Sequence, residues 1–219
     1  MCDVRLWVSK RGRIRFVSHL DLFRTLQRAV RRARIPLWYT EGFNPHPYIS
    51  FLLALSLTVE SDGEPVDIRL TEELPFAELK DRLNAVFPEG LRVEAVAAPV
   101  CKPGEIAFAR YAVLLDPEEI SAAELTAALE SGALACEKSG KKNGKKVVRS
   151  VDVSSMLKSF SVAETPRGVE LTVVLPAGSV TNLNPVQLLE AVSAFYGRTV
   201  TARRAVRTRL LREDLSDFR

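Results

Sequence analysis

Hydrophobic and polar positions in the first third of the chain change from a strand pattern to a helix pattern at Ser18. Val4–Ser9 and Ile14–Val17 have the apolar content of two short strands. After Ser18 the apolar residues recur every three or four positions, which predicts an amphipathic helix. Ser18 is the predicted N-cap, Asp21 occupies a capping-box position, and Ile35-Pro36 ends the helix.

The next sixty residues complete a predicted β, α, β, β, α, β order, which is typical of a ferredoxin-like half. The remaining elements are a β-rich stretch within Ile49–Glu60, a turn at Ser61-Asp62-Gly63, a strand at Val66–Leu70, a helix with Pro75 at its first position that closes at Gly90, and a strand at Leu91–Val96.

The second half repeats this element order without any repeat at the level of residues. The predicted elements are a strand at Tyr111–Leu115, a helix at Ser121–Glu130 with a Ser121–Glu124 capping box, strands in Val147–Phe160 and Val169–Leu175, a helix from Asn184-Pro185 through Phe195, and a strand at Thr199–Arg209. We therefore predict an α+β protein of two ferredoxin-like halves packed together, with domains at 1–98 and 108–212 and a C-terminal tail at 213–219.

Charge is distributed unevenly along the chain. Residues 1–36 hold ten basic and two acidic residues, a net charge of +8 against +4 for the whole chain, and the sequence pI is about 9.1. Such asymmetry predicts a surface that faces a polyanion, most simply nucleic acid, although a solvated basic face without a partner has the same composition. The candidate nucleic-acid contacts in this region are Arg13, Arg15, Arg24, Arg28, Arg31 and Arg32.

A second basic segment spans residues 138–146 and contains two glycines. Its composition favours a mobile hairpin tip, either as a solvated turn or as a phosphate-contacting loop through Lys141, Lys142, Lys145 and Lys146. The glycine spacing does not fit a P-loop.

The three cysteines, Cys2, Cys101 and Cys136, are scattered and form no CxxC pair. Neither a zinc ribbon nor an iron–sulfur motif is indicated, so we expect no metal and no cofactor. No signal-peptide pattern is present, and the longest strongly apolar run, Phe51–Leu55, is too short to cross a bilayer. We expect a cytoplasmic protein with no membrane partner.

The chain has only two histidines, and they bracket the basic helical segment. His19 is predicted in the first helical turn, where the helix dipole favours a neutral imidazole. His46 lies between two prolines that restrict the backbone on both sides. Each histidine therefore suits either a functional site or a structural one.

Three segments become specific when they occur together: SKRGRIRFVSHLD at 9–21, RAVRRA at 28–33 and GFNPHPYISF at 42–51. In combination they closely resemble the radical SAM-linked protein family, a domain of unknown function encoded beside, or fused to the C-terminus of, a radical SAM protein. The motif positions are Ser18, His19, Asp21, Gly42, Phe43, Asn44 and His46. The resemblance implies a radical SAM protein as partner and hints at RNA metabolism. This chain has no CxxxCxxC motif, so the resemblance makes it the partner of the radical enzyme.

Three functional hypotheses follow. We favour a non-enzymatic accessory partner of a radical SAM enzyme that binds or presents RNA resembling tRNA or rRNA through its basic face. An RNA-processing or RNA-modifying enzyme is the first alternative, with His19 and His46 as acid and base and Lys10 stabilising charge. A zinc or iron site built from the histidines and Asp21 is a weaker variant. A protein-binding adaptor without RNA contact is the second alternative.

Overall fold

The structure is a computed structural model that describes residues 1–142, 145–178 and 181–219, with the side chains of 137–149 outside the description. Over this range it contains four α-helices and ten strands, which confirms the α+β class. The chain divides into two compact units. Unit 1 consists of Met1–Glu105, Arg207–Arg209 and Asp217–Arg219, and unit 2 consists of Ile106–Val206 and Leu210–Ser216.

Unit 1 packs two helices on an antiparallel sheet. Its elements are β1 (Cys2–Lys10), a 3-10 turn (Gly12–Phe16), α1 (His19–Arg32), β2 (Ile49–Phe51), β3 (Glu60–Leu70), α2 (Phe76–Asn84), β4 (Leu91–Ala97) and a second 3-10 turn (Pro103–Glu105). β1 pairs with β3 and β4, and β2 pairs with β3. Alternate β1 residues pack with the apolar face of α1 in one core, which includes Val4, Leu6, Val8, Leu22, Leu26 and Val30.

Two sequence predictions in unit 1 are wrong. The predicted strand at Ile14–Val17 lies largely in the 3-10 turn, because the Val17 N–H closes a local bond to the Ile14 carbonyl at 3.0 Å. The predicted turn at Ser61-Asp62-Gly63 lies inside β3, where Ser61 pairs with Lys10 across the sheet. Cross-strand pairing outweighs the local turn preference at that point.

The helix boundaries follow the predictions closely but not completely. Ser18 is the N-cap of α1, and its hydroxyl accepts a bond from the Asp21 N–H. α1 ends at Arg32, three residues before Ile35, and Arg34 has a φ of 51°. Pro75 is the N-cap of α2 and not its first helical residue.

Unit 2 contains a pair of strands that the predicted element order does not. Its elements are β5 (Phe108–Leu115), α3 (Ala122–Glu130), β6 (Ala135–Lys142), β7 (Lys145–Asp152), a 3-10 turn (Ser154–Met156), β8 (Ser159–Thr165), β9 (Gly168–Pro176), α4 (Pro185–Tyr196) and β10 (Ala202–Leu211), the last of which lends Arg207–Arg209 to unit 1. The single strand predicted within Val147–Phe160 is divided by the 3-10 turn. β7 pairs with β6 in a separate two-stranded sheet, and β8 pairs with β9.

Asp217–Arg219 belong to unit 1. Phe218 is buried, lies edge-on to Trp7 with ring centroids 6.3 Å apart, and lies beneath the Arg5 guanidinium. Arg5 also donates to the Arg219 carbonyl at 2.9 Å. Phe218 and Arg219 therefore contribute packing and a hydrogen bond to unit 1.

Candidate nucleic-acid interface

One face of α1 is lined with arginine side chains. The helix buries Leu22, Leu26 and Val30, so the residues on the opposite side are turned to solvent. The exposed residues on that side include Arg24, Arg28, Arg31 and Arg32. The 14-residue helix therefore presents a row of positive charge on its exposed side.

The arginines of this face differ in how far the protein neutralises them. Arg24 forms an exposed ion pair with Asp21 at 3.2 Å, and Arg32 donates to the Val86 carbonyl at 2.9 Å. Arg28 and Arg31 have neither a side-chain hydrogen bond nor a salt bridge within the described parts of the chain. Their guanidinium groups are available to an external anion.

The turn before α1 adds one more unpaired guanidinium group. Arg13 is exposed and, over the residues that the structure describes, makes no side-chain hydrogen bond or salt bridge. Arg15 is engaged instead, with its guanidinium 3.6 Å from the Glu60 carboxylate and stacked 4.9 Å from the Phe16 ring. The Arg13 guanidinium is therefore available to an external anion, whereas the Arg15 guanidinium is engaged by Glu60 and Phe16.

The Ser18–Asp21 motif builds the start of the helix. The Ser18 hydroxyl donates to Asp21 Oδ2 at 2.8 Å, and hydrogen bonds from Ser18 and Arg24 lower the pKa of Asp21 below its usual 3.8. His19 is exposed and packs edge-on against Phe51, with ring centroids 5.2 Å apart. Ser18 and Asp21 thus have a capping role, and the His19 ring covers the end of β2.

The GFNPHP motif lies in a loop closed on itself. The Thr40 N–H donates to the His46 carbonyl at 2.9 Å, and the His46 N–H donates to the Thr40 hydroxyl at 3.2 Å. His46 Nδ1 lies 2.9 Å from Thr40 Oγ1 and 3.2 Å from the Asn44 carbonyl. Gly42 has a φ of 123°, which glycine adopts without strain. Phe43 at the tip is fully exposed.

The base of this loop is anchored to β3 by an arginine. The Arg69 guanidinium lies 4.9 Å from the Tyr48 ring centroid and 5.5 Å from the Trp38 ring centroid. Arg69 also forms a bidentate pair with Asp3, at 2.6 and 3.0 Å. The aromatic residues around the loop therefore divide into an anchored pair, Trp38 and Tyr48, and the exposed ring of Phe43.

The two histidines make separate local contacts. Among the described residues, neither a hydrogen bond nor a ring contact joins His19 to His46. In the same residues no three His, Cys, Asp or Glu side chains are grouped so that they could hold a metal ion. The contacts of the two imidazoles are local and different.

Lys10 is buried beneath the turn that leads into α1. Its Nζ donates to the carbonyls of Val17 at 3.0 Å and Arg15 at 3.3 Å, and its side chain is almost completely enclosed. Burial lowers the pKa of Lys10 below its usual 10.5. The negative charge of Glu64 raises this pKa, and the positive charge of Arg207 lowers it further. Lys10, a candidate for charge stabilisation on a substrate, instead holds the backbone before Ser18.

A buried ionic group next to Lys10 was not predicted. Glu64 on β3 forms a bidentate pair with Arg207 on β10, with Arg207 Nε 2.9 Å from Glu64 Oε1, and both side chains are buried. Glu60 is also buried and accepts the Gly12 N–H at 3.1 Å. The sequence signal for this group was a set of charged residues beside a strand pattern, among them Glu64. Its partner Arg207 is 143 residues further along the chain, too far to be assigned from the sequence alone.

Four candidate contacts cannot be placed. The side chains of Lys141, Lys142, Lys145 and Lys146 lie outside the described residues.

No helix in the described parts of the chain is both long and apolar enough to span a membrane.

These features define an α+β protein whose first unit combines an arginine-faced helix with an exposed aromatic loop. The chain belongs to the family DUF2344, an uncharacterized protein conserved in bacteria, whose model matches residues 4–185. The matched region includes both histidine motifs.

A solved structure is similar across almost the whole chain. A chain in the crystal structure of a Cbf5–Nop10–Gar1 complex matches with a TM-score of 0.54 and 11% sequence identity, over 96% of this chain and 50% of that chain. This chain thus spans about half the length of its structural relative, and at this identity the likeness concerns the fold alone. No curated protein matches the chain.

Proposed function

We propose that this protein is a non-enzymatic partner of a radical SAM enzyme that binds RNA through the arginine face of α1. The observation that carries the proposal is the exposure of the Arg13, Arg28 and Arg31 side chains, none of which has an ion-pair partner in the described residues. Phosphate groups are the common ligands of such guanidinium groups, because each contact releases a counterion from the nucleic acid.

The partner in this proposal comes from the sequence motifs. The 9–21, 28–33 and 42–51 segments resemble the radical SAM-linked family, and all three lie inside the matched family region. Copurification with the neighbouring radical SAM protein tests this part of the proposal.

We also infer that both units have ferredoxin-like cores. In unit 1 the strand order β4-β1-β3-β2 supports this arrangement, because each neighbouring pair is antiparallel and the two helices follow β1 and β3. In unit 2 the strand order β10-β5-β9-β8 supports the same core, with β6 and β7 as an insertion.

Binding of tRNA and of structured RNA hairpins at increasing salt concentration tests the RNA proposal. We expect affinity that falls steeply with salt, since the contacts are to phosphates. Wild-type protein that binds none of these RNAs in a salt-sensitive way would contradict it.

A second candidate function, a protein-binding adaptor, is favoured by exposed apolar side chains on two adjoining segments. Phe16, Leu20 and Leu57 are each more than half exposed, and the Thr58 N–H bonds to the Arg15 carbonyl at 3.0 Å. Copurification of the radical SAM protein at moderate salt, with and without ribonuclease, separates the two functions. A complex that survives ribonuclease supports the adaptor, and one that is lost supports RNA as the bridge.

A further inference from the structure

Phe43 contributes nothing to the protein core. Its side chain is fully exposed at the tip of the 40–46 loop, whereas Trp38 and Tyr48 at the base of the loop are partly buried and pack on each other with ring centroids 6.1 Å apart. A large exposed ring at a loop tip has a free face for an external ligand.

The loop that carries Phe43 is closed by its own hydrogen bonds. Thr40 and His46 exchange backbone and side-chain bonds across the loop, and Tyr39 and Pro47 form an isolated antiparallel bridge below it. Pro45 and Pro47 fix two further backbone angles. Because the segment is already closed, presenting the Phe43 ring costs little additional ordering.

The base of the loop is held against the sheet through charge and ring contacts. Asp3 orients Arg69 through two hydrogen bonds, and Arg69 stacks on both Trp38 and Tyr48. The position of Phe43 is therefore tied to β1 and β3 of unit 1.

The groups beside Phe43 are polar and partly unused. The Asn44 carboxamide and His46 Nε2 have no partner in the described residues, whereas His46 Nδ1 is engaged by Thr40 and the Asn44 carbonyl. An apolar protein pocket offers no match for an amide and an imidazole next to the ring. A nucleobase does, because its face stacks on an aromatic side chain and its edge forms hydrogen bonds.

We propose that Phe43 stacks on the base of an unpaired RNA nucleotide and that Asn44 and His46 contact the edge of that base. This inference rests on the proposed RNA-binding function and names single-stranded or loop RNA as the ligand class of the GFNPHP motif. The α1 arginines would supply affinity for phosphate, and the loop would supply the preference for unpaired bases.

The test compares wild-type protein with Phe43→Ala and Phe43→Trp. The probes are an RNA hairpin whose loop contains 2-aminopurine and a blunt duplex of the same number of phosphates. We expect wild-type protein to quench the 2-aminopurine fluorescence by stacking. Phe43→Ala should lose this quenching and bind the hairpin about tenfold more weakly, with its duplex affinity and salt dependence unchanged. Phe43→Trp should retain both effects.

The outcomes separate this inference from the proposed function. Salt-sensitive hairpin binding that is equally strong in Phe43→Ala overturns the stacking role and leaves RNA binding by the arginines intact. Wild-type protein without RNA binding overturns both proposals. Loss of the radical SAM partner in Phe43→Ala, with hairpin binding and quenching intact, overturns the stacking role in favour of a protein contact. An unchanged melting temperature of Phe43→Ala confirms that the exposed ring has no folding role.

Discussion

At the scale of single residues, Lys10 shows how a buried charge can support a surface motif. Its Nζ holds the carbonyls of Arg15 and Val17, and the next residue, Ser18, is the N-cap of the arginine-faced helix. The side chain is enclosed, and burial lowers the pKa of Lys10 below 10.5. The direction of this shift makes the contribution of Lys10 to stability dependent on pH.

The folded state holds the Lys10 proton less tightly than the unfolded state does. At pH values between the lowered pKa of the folded state and the usual 10.5, folding therefore releases a proton from Lys10. Over that range the free energy of unfolding increases as the pH rises. Urea denaturation of wild-type protein and Lys10→Met, from about pH 8 to about pH 10, measures this linkage. We expect the stability of wild-type protein relative to Lys10→Met to increase with pH. A difference that is constant or decreases with pH would show that Lys10 is not desolvated.

The Glu64–Arg207 pair gives a second prediction at this scale, because both partners are buried. Glu64→Gln removes the negative charge and leaves a buried guanidinium, so we expect a loss of about 3 kcal/mol or more in unfolding free energy. The matched control is Glu78→Gln, which breaks an exposed i,i+4 pair with Arg82 and should cost about 0.5 kcal/mol or less. Equal losses measured by urea denaturation would contradict the assignment of a buried pair.

Among the helices, α1, α3 and α4 begin at a residue whose side chain accepts a hydrogen bond from a backbone N–H of the first turn. α3 begins with a full capping box, in which Ser121 and Glu124 exchange bonds, and Arg198 pairs with the same carboxylate at 2.6 Å. The backbone N–H and hydroxyl of Ser121, followed by Arg198, lower the pKa of Glu124 below its usual 4.5.

A lowered carboxylate pKa stabilises the folded state above the usual pKa and ceases to do so as the pH falls through the folded value. Wild-type protein should therefore lose unfolding free energy as the pH falls from about 5 to about 3, and Glu124→Gln should lose less over the same range. Thermal or urea unfolding at each pH provides the comparison. A variant with the same acid dependence as wild-type protein would exclude Glu124 as a contributor.

The sequence predicted elements well where their signals were local. The caps at Ser18 and Ser121 are confirmed, because each involves a side chain and a backbone N–H three residues further on. The turn at Ser61-Asp62-Gly63 was predicted wrongly because its strand conformation comes from pairing with β1, which lies about fifty residues earlier. The β6–β7 pair was missed because the break near Val153 consists of residues that also occur in strands.

The candidate site, like the secondary structure, could be predicted from the sequence where its signals were local. The exposed arginines followed from the helical period of α1, and the prolines indicated a stiff loop at His46. Lys10 lies beside the buried Glu64–Arg207 pair, whose members are 143 residues apart in the sequence, and a single sequence does not reveal such a pairing. The contacts of His19 and His46 are with residues much closer in the sequence, but the helix and loop patterns alone did not predict them.

For the molecule as a whole, the proposed RNA binding depends on which basic side chains have no acidic partner within the protein. Residues 1–36 carry a net charge of +8, yet several of their arginines are paired internally. The proposed RNA binding depends on the charge that remains available, and part of that charge lies at Arg28 and Arg31.

The salt dependence of RNA binding measures how many of the α1 arginines contact phosphate. The dissociation constant for a structured RNA is measured over a range of salt concentrations for wild-type protein, Arg28→Ala/Arg31→Ala and the control Arg92→Ala/Lys102→Ala. The control removes the same charge from exposed positions of unit 1 that lie outside α1 in the sequence. We predict that the slope of log affinity against log salt falls by about 0.7 to 0.9 for each α1 arginine removed and is unchanged in the control. Equal slopes in the two double variants, or no salt-sensitive binding by wild-type protein, would contradict the account.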